Sequence, residues 1–313
     1  MPCYFPLKAY RAKSKDPQKT LITFRRSESW GPTNHVIELA LPCGQCIGCR
    51  LERSRQWALR CVHEASLYEE NSFLTLTYSP ENLPSDKSLH LEHFQKFMKR
   101  LRKSLAPKKV RFYHCGEYGE QLARPHYHAL LFNYCPPDLR HFSGSGKTKV
   151  STSESLSQLW PYGYAVVGEV TFESAAYVAR YVMKKINGPN ADVHYMGMKP
   201  EYTTMSRRPG IGKGWYEKFK TDVYPHDRIM LRGVRSRPPR YYDGLLLKED
   251  PSTMAFLKLK RSENEKFVKD TLSNGKVIVV SDSSDQRLAV KHLVKQAEIS
   301  NLKRPLEDNS HGI

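Results

Sequence analysis

Hydrophobic and polar positions alternate with the periods of helices and strands over the first two thirds of the chain. Apolar side chains three and four positions apart predict helices over residues 50–70 and 91–105, and Pro107 ends the second. Runs rich in β-branched and aromatic residues predict strands at 73–78, 110–115, 125–132 and 163–170. A helix follows from about 172 to 186, because Asn187-Gly188-Pro189 supplies a residue tolerant of the left-handed conformation and then a helix breaker.

The predicted order β-α-β-β-loop-β-α indicates an α+β fold, an antiparallel sheet with helices on one face. The Pro-, Gly- and Ser-rich stretch 135–157 is predicted to be a loop with a short helix before Trp160. Beyond residue 190 the periodicity weakens, with charged helices expected at 250–270 and 284–302. We therefore divide the chain into an N-terminal segment with a cysteine cluster, an α+β domain and a basic C-terminal extension, part of which we expect to be disordered: residues 1–49, 50–190 and 191–313.

The charge of the chain changes this picture by pointing to a partner. Its 313 residues include 50 Lys and Arg against 32 Asp and Glu, a net charge of +18. Such a chain is expected to bind nucleic acid, because Lys and Arg release the counterions condensed on phosphates. No apolar run approaches the length of a membrane span, so we expect no membrane partner. The N-terminus lacks the features of a secretory signal, and we expect a cytosolic protein.

Two histidines in the third predicted strand are the first candidates for chemistry. His126 and His128 are two residues apart, so their rings project from the same face of a strand and could share one divalent ion. Glu117 lies nine residues upstream in a predicted turn, and it would join them if the two strands pair as a hairpin. Glu120 is the alternative third ligand. The simpler interpretation is a pair of strand histidines satisfied by hydrogen bonds.

Two tyrosines on the helix 172–186 are the second candidates. On a helical wheel, Tyr177 and Tyr181 lie one turn apart with Lys184, on the face turned away from the apolar arc. A free phenol has a pKa of about 10, so attack on a phosphodiester needs a nearby cation or a metal-polarised phosphate. The Tyr-x2-Lys pattern favours Tyr181 as the first nucleophile, although the sequence does not decide the order. An ordinary surface helix could carry the same residues.

Cysteines near the N-terminus form the third candidate group. Cys43, Cys46 and Cys49 are each separated by two residues, and Cys61 or His63 could complete a tetrahedral zinc site. The spacing is not the usual pair of Cys-x2-Cys motifs, so free thiols are the alternative. A zinc site here would be structural, because no nucleophile or base lies near it in the sequence.

Taken together, these motifs resemble the HUH superfamily of rolling-circle replication initiators. The resemblance covers roughly residues 40–220 and is closest to the initiators of the Microviridae, small single-stranded DNA phages. Three motifs resemble, in order, the superfamily's first motif, its His-hydrophobe-His motif and its two-tyrosine motif: Phe73-Leu-Thr-Leu-Thr-Tyr78, Pro125-His-Tyr-His128 and Tyr177-x3-Tyr181-x2-Lys184. Three further segments look like the gokushovirus branch: Cys43–Arg50, Cys115–Gly119 and Met205–Gly214.

The resemblance implies an HUH-type nuclease domain, with a ferredoxin- or RRM-like sheet, that nicks one strand of the replicative form at the origin. It implies Mg²⁺ or Mn²⁺ held by His126, His128 and Glu117, and a tyrosine that stays linked to the 5′ phosphate. The free 3′ hydroxyl would prime a host polymerase, and the second tyrosine would allow the displaced single strand to be closed into a circle.

The place of action implied is the cytoplasm of the bacterial host. No Walker-type loop is present, so we expect a host helicase to unwind the duplex. A relaxase or transposase of the same superfamily is one alternative. The other is a non-catalytic basic nucleic-acid-binding protein, with or without zinc.

Overall fold

The computed structural model describes residues 3–13, 21–29, 36–119, 122–146, 149–184, 191–263, 267–271 and 277–301. In chain order, the strands are β1 (Leu7–Ala12), β2 (Leu21–Thr23), β3 (Glu38–Leu41), β4 (Asn71–Tyr78), β5 (Arg111–Tyr118), β6 (Pro125–Phe132), β7 (Arg140–Ser143), β8 (Val150–Thr152), β9 (Gly163–Gly168), β10 (Tyr202–Met205), β11 (Ile229–Leu231), β12 (Val234–Ser236), β13 (Phe267–Thr271) and β14 (Val277–Ser281). The α-helices are α1 (Ile47–Ala65), α2 (Leu91–Ser104), α3 (Glu154–Leu159), α4 (Phe172–Lys184), α5 (Ala191–Tyr195), α6 (Lys213–Val223), α7 (Arg240–Glu249), α8 (Pro251–Glu263) and α9 (Asp285–Ser300).

Contacts divide the chain into two compact units, a larger one within residues 53–260 and a smaller one that combines 1–52 with 261–303. The smaller unit holds a three-stranded antiparallel sheet in the order β2-β1-β3, the β13–β14 hairpin and α9. These boundaries differ from those we expected at residues 49 and 190. The C-terminal extension is not one region, because its first part belongs to the larger unit and its last part to the smaller.

The larger unit is built on a seven-stranded sheet in the order β10-β5-β6-β4-β9-β8-β7. Every adjacent pair is antiparallel, so the predicted α+β fold class is confirmed. Strands β4, β6 and β9 correspond to predicted ones, and β5 runs three residues further than predicted. The stretch expected to be a loop instead contributes β7 and β8 to one edge of the sheet, followed by α3.

Helices cover both faces of this sheet, whereas we expected them on one. Alternate residues of β6 enter two different hydrophobic clusters, Tyr127 and Ala129 in one, Leu130 and Phe132 in the other. The first cluster includes residues of α2 and α3, and the second includes residues of α1 and α4. A strand that is buried on both faces carries apolar residues in succession rather than in alternation, as the run 129–132 does.

A third cluster explains why residues 201–260 belong to the larger unit. Leu59 of α1 packs with Tyr216 of α6 and Tyr242 of α7, and all three are fully buried. Arg60, the next residue on α1, has its guanidinium carbon 3.9 Å from the ring centres of both Trp57 and Tyr241. Such cation–π contacts add to the apolar burial that fixes these helices on α1.

The two charged helices expected in the C-terminal region correspond to α8 and α9.

Candidate active site

The β5–β6 hairpin brings the predicted metal ligands together. Its register places Glu117 opposite His126 and Cys115 opposite His128, as the hairpin hypothesis required. Glu117 lies within β5 rather than in the predicted turn. The strand continues that far because its pairing with β6 extends to Tyr118, which lies opposite Pro125. The alternative ligand, Glu120, lies outside the described residues.

Both imidazoles point at one carboxylate oxygen. The Nε2 atoms of His126 and His128 lie 2.8 and 2.9 Å from Oε1 of Glu117. One ligand atom from each of the three residues lies within 4.8 Å of the others, the arrangement needed to surround a single ion. Glu117 and His128 are almost completely buried, so the centre of the group is shielded from solvent.

The Nδ1 atoms of the two rings, which lie away from Glu117, have hydrogen-bond partners of their own. Nδ1 of His126 lies 3.1 Å from the carbonyl oxygen of Arg124, and Nδ1 of His128 lies 2.9 Å from Oγ1 of Thr75 on β4. A carbonyl oxygen can only accept, so Nδ1 of His126 donates. Contacts of this kind orient an imidazole so that Nε2 faces the ion.

Electrostatics keep the carboxylate ionised. Burial raises the pKa of Glu117, but the positive charge of His126 and the hydrogen bonds from both histidines outweigh burial and bring the pKa to about 2. The Glu117 carboxylate is therefore an anion at neutral pH, which is the form that coordinates a metal ion.

Helix α4 places Tyr177 against this group. The Tyr177 hydroxyl lies 3.4 Å from Nε2 of His128, and the two rings meet edge to face with centroids 5.0 Å apart. Phe73 of β4 stacks on His128 at 5.5 Å and contacts the Tyr177 ring edge-on at 6.3 Å. The phenol, the histidine and Phe73 therefore form one packed cluster.

The prediction that Tyr177 faces away from the core was wrong. Only 3% of its surface is exposed, and it belongs to the cluster between α4 and the sheet. Helix α4 also contacts α1, where the Ser54 hydroxyl donates to the carbonyl of Ala176. A helix with contacts on two sides has a wide apolar arc, so the wheel could not show which side meets the sheet.

The remaining residues of the tyrosine motif are less fully described. Tyr181 and Lys184 belong to α4, but their side chains lie outside the described part of the structure. The second-tyrosine hypothesis therefore stays a prediction. Arg180 lies with its guanidinium carbon 5.8 Å from the centre of the Tyr177 ring.

The cysteine cluster contains a member that the sequence did not indicate. The sulfurs of Cys43, Cys46 and Cys49 are joined by that of Cys3, all four within 4.8 Å of one another. Cys61 does not join them, because it lies twelve residues beyond Cys49 on α1, about 18 Å along the helix axis. It is fully buried in the apolar cluster beside Tyr113 instead.

The pairing of β1 with β3 explains how Cys3 comes to lie beside the other three cysteines. Leu7 lies opposite Leu41, and continuing that antiparallel register by four residues places residue 3 opposite residue 45. The signal for Cys3 was thus the pairing of two strands far apart in sequence, which local periodicity does not reveal.

Comparisons with known proteins agree on one family. A model of the family "Replication-associated protein ORF2/G2P" matches residues 71–186, which include Glu117, His126, His128 and Tyr177. The replication-associated protein VP4 of Bdellovibrio phage phiMH2K is 36% identical over 245 residues, 74% of this chain and 76% of that protein. The replication-associated protein ORF2 of Spiroplasma virus 4 is 33% identical over 289 residues, 88% of each chain.

The chain belongs to the family of phage replication-associated proteins. A third member, ORF4 of Chlamydia phage 1, is 35% identical over 217 residues, 66% of this chain and 54% of that protein. The resemblance drawn from the motifs is thus confirmed at the level of the family. No solved structure matches the chain. Among helices in the described residues, none is long and apolar enough to cross a lipid bilayer.

Proposed function

We propose that this replication-associated protein nicks one strand of the phage replicative form at the origin and later joins the displaced strand into a circle, with Tyr177 as a nucleophile. The observation that carries the proposal is the position of the Tyr177 hydroxyl, 3.4 Å from a nitrogen of the His126–His128–Glu117 group. A nucleophile beside a set of metal ligands is the arrangement that metal-assisted phosphoryl transfer requires.

The residues present fit a divalent ion that accepts both oxygen and nitrogen ligands. One ionised carboxylate and two oriented imidazoles offer oxygen and nitrogen donors, and three ligands leave coordination positions for a phosphate. His126, His128 and Glu117 would hold Mg²⁺ or Mn²⁺, which would supply positive charge to polarise the scissile phosphate.

The covalent step exchanges one phosphodiester for another. The Tyr177 oxygen forms a bond to phosphorus as the bond to the 3′ oxygen breaks, while the phenol loses a proton and the departing oxygen gains one. The products are a 5′-phosphotyrosine and a free 3′ hydroxyl. Because the number of phosphodiester bonds is unchanged, the step needs no nucleotide hydrolysis and can run backwards to rejoin DNA.

Other residues of α4 have supporting roles in this proposal. Tyr181, one turn further along the helix, makes the second attack when the origin has been regenerated. Arg180 and Lys184 stabilise the negative charge that develops on the phosphate.

The proposal also names partners. Single-stranded and origin duplex DNA are the substrates, and the net charge of +18 favours both. A host polymerase would extend the 3′ hydroxyl and a host helicase would open the duplex, in the cytoplasm of the infected bacterium.

The test is a covalent-adduct assay on labelled single-stranded DNA that spans candidate origins, with Mn²⁺ or without metal. Label should migrate with the denatured protein only when metal is present, and peptide mapping should place it on α4. Tyr177→Phe should lose the adduct at position 177, and Tyr177→Phe combined with Tyr181→Phe should lose it entirely. Tyr162→Phe is the matched control and should keep the adduct, because Tyr162 packs against the hydrophobic cluster on the other face of the sheet, the one that includes α2 and α3.

Two results would contradict the proposal. An adduct that survives in the double variant would place the nucleophile elsewhere. Tight, salt-sensitive DNA binding with no adduct on any strand would leave a basic DNA-binding protein without this chemistry.

A further inference from the structure

We propose that Cys3, Cys43, Cys46 and Cys49 bind one Zn²⁺ ion that is required for the smaller unit to fold. Each cysteine contributes one sulfur, and the four sulfurs lie within 4.8 Å of one another. All four are free thiols rather than disulfides. The site is separate from the tyrosine site in its residues and in its chemistry.

The spacing of the sulfurs fits a single tetrahedral ion. A Zn–S bond of about 2.3 Å places two sulfurs of a tetrahedron about 3.8 Å apart. The sulfurs of Cys3 and Cys46 are separated by 4.0 Å, about twice the length of a disulfide bond.

Backbone amides point at these sulfurs. The N–H of Cys43 donates to the sulfur of Cys3 at 3.3 Å, and the N–H of Cys46 donates to that of Cys43, also at 3.3 Å. The N–H of Tyr4 donates to the sulfur of Cys46 at 3.4 Å. Sulfur is a weak acceptor as a thiol and a stronger one as a thiolate, so these contacts suit deprotonated, metal-bound cysteines.

An iron–sulfur cluster is the competing occupant, because Cys-x2-Cys-x2-Cys also occurs in cluster-binding proteins. Such a cluster places an iron between each thiolate and the next, so its four cysteine sulfurs stand farther apart than around one ion. The mutual approach within 4.8 Å favours a single ion. Among divalent ions bound to the same ligands, zinc binds more tightly than ferrous iron.

The composition of the smaller unit explains what the ion would do. Among the side chains of this unit that the structure describes, those of residues 3–13, 21–29, 36–52, 261, 263, 279 and 281–301, the buried apolar ones are Cys3, Ala9, Cys46 and Leu288. Two of these four are ligands of the proposed site, so a metal ion would add to the hydrophobic stabilisation that these described side chains supply. The ion would join the chain before β1 to the turn after β3 and to the first turn of α1.

The experiment measures the metal content of the full-length protein by mass spectrometry after extensive desalting. Wild type should contain about one zinc per chain, as one tetrahedral site requires. Cys3→Ser should release its zinc to a chromophoric chelator much faster than wild type, and Cys3→His should restore slow release because imidazole is also a zinc ligand. Cys135→Ser is the matched control, and Cys61→Ala tests the fourth ligand that the sequence suggested. Both should retain zinc at the wild-type level.

Cobalt substitution keeps the proposal testable if the Cys3 variants do not fold. Wild type reconstituted with Co²⁺ should show the intense visible bands of a tetrahedral thiolate complex. Iron with acid-labile sulfide, a cobalt spectrum without thiolate bands, or equal zinc retention in wild type and Cys3→Ser would each overturn the proposal. Loss of zinc in Cys61→Ala alone would overturn the assignment of Cys3.

Discussion

The two side-chain clusters suited to metal ions differ in almost every chemical respect. One combines two imidazoles and a carboxylate on β5 and β6, with the hydroxyl of Tyr177 beside it. The other consists of four thiols around the first turn of α1. One oxygen and two nitrogen ligands leave positions open for a substrate, whereas four thiolates fill a tetrahedron. Under the two proposals above, the first cluster would hold a catalytic ion and the second a structural one.

The surroundings of the two clusters lead to the same distinction. The histidines lie on β6, an interior strand of a seven-stranded sheet whose residues enter one large hydrophobic cluster on each face. The cysteines lie in the smaller unit, where few of the side chains that the structure describes are both apolar and buried. Removing the first ion should therefore abolish DNA nicking and leave the protein folded. Removing the second should unfold the smaller unit and leave DNA nicking intact.

The largest effect is expected when one proposed metal ligand is removed from each cluster in turn. His128→Ala should slow adduct formation about 1000-fold or more, because a metal ion contributes several kcal/mol to the transition state. The variant should keep its zinc and its resistance to protease. Cys46→Ala should become sensitive to protease within residues 1–52 and 261–303, yet still form the adduct on a short single strand.

The measurements are single-turnover adduct kinetics and limited proteolysis with peptide mapping, carried out on the same preparations. Cys135→Ser serves as the control for removing a thiol. If His128→Ala unfolded the larger unit, or if Cys46→Ala stopped adduct formation while resisting protease, the division into a catalytic and a structural site would fail.

A second test separates the two ions by how firmly they are held. Structural zinc sites bind with apparent free energies of about 10–16 kcal/mol, so zinc should survive gel filtration into metal-free buffer. The ion proposed at the histidines, which would share its coordination with water and substrate, should be lost in the same buffer. Nicking should then fall at least about 100-fold. Added Mn²⁺ should restore activity without changing the zinc content. Activity that persists undiminished with zinc alone would contradict a separate catalytic ion.

A smaller effect is expected from the threonine that orients His128. Thr75→Val removes the 2.9 Å contact with Nδ1 and should cost about 10–100-fold in activity or metal affinity. Thr204→Val is a matched control, because Thr204 makes a 3.0 Å contact with Nδ1 of His114, which stacks on Phe94 in the opposite cluster. Titrating Mn²⁺ in nicking assays measures both variants. Equal losses would mean that Thr75 acts on the stability of the sheet rather than on the site.

Much of the cluster of two histidines and one glutamate could be predicted from the sequence because its signals are local. A period of two places His126 and His128 on one face, and a short hairpin brings Glu117 opposite His126. The orientation of Tyr177 could not be predicted in this way, because it depends on which side of α4 meets the sheet. That choice is made by packing against α1, whose contacts are distant in sequence.

The cysteine cluster shows the same limit. Three of its cysteines follow one another at a regular spacing, but the fourth sulfur, that of Cys3, is brought to them by the pairing of β1 with β3. Cys61 was the nearest cysteine in sequence, and the rise of α1 carries it away from Cys49. Likewise, the place of α6 and α7 on the larger unit rests on an aromatic cluster formed with Leu59, which weak periodicity beyond residue 190 did not indicate.

The smallest predicted effect concerns the ring that supports His128 and Tyr177 together. Phe73 stacks on His128 with an angle of 13° between the rings and meets Tyr177 at 84°. Phe73→Leu keeps an apolar side chain but removes the flat surface, and aromatic pairs of this kind are worth about 0.5–1.5 kcal/mol. Adduct formation should therefore slow about 2- to 12-fold, with DNA affinity unchanged. Phe112→Leu, which loses an edge contact with Phe94 in the opposite cluster, should keep the wild-type rate. Equal rates in wild type and Phe73→Leu would show that the strand and the threonine alone hold His128 in place.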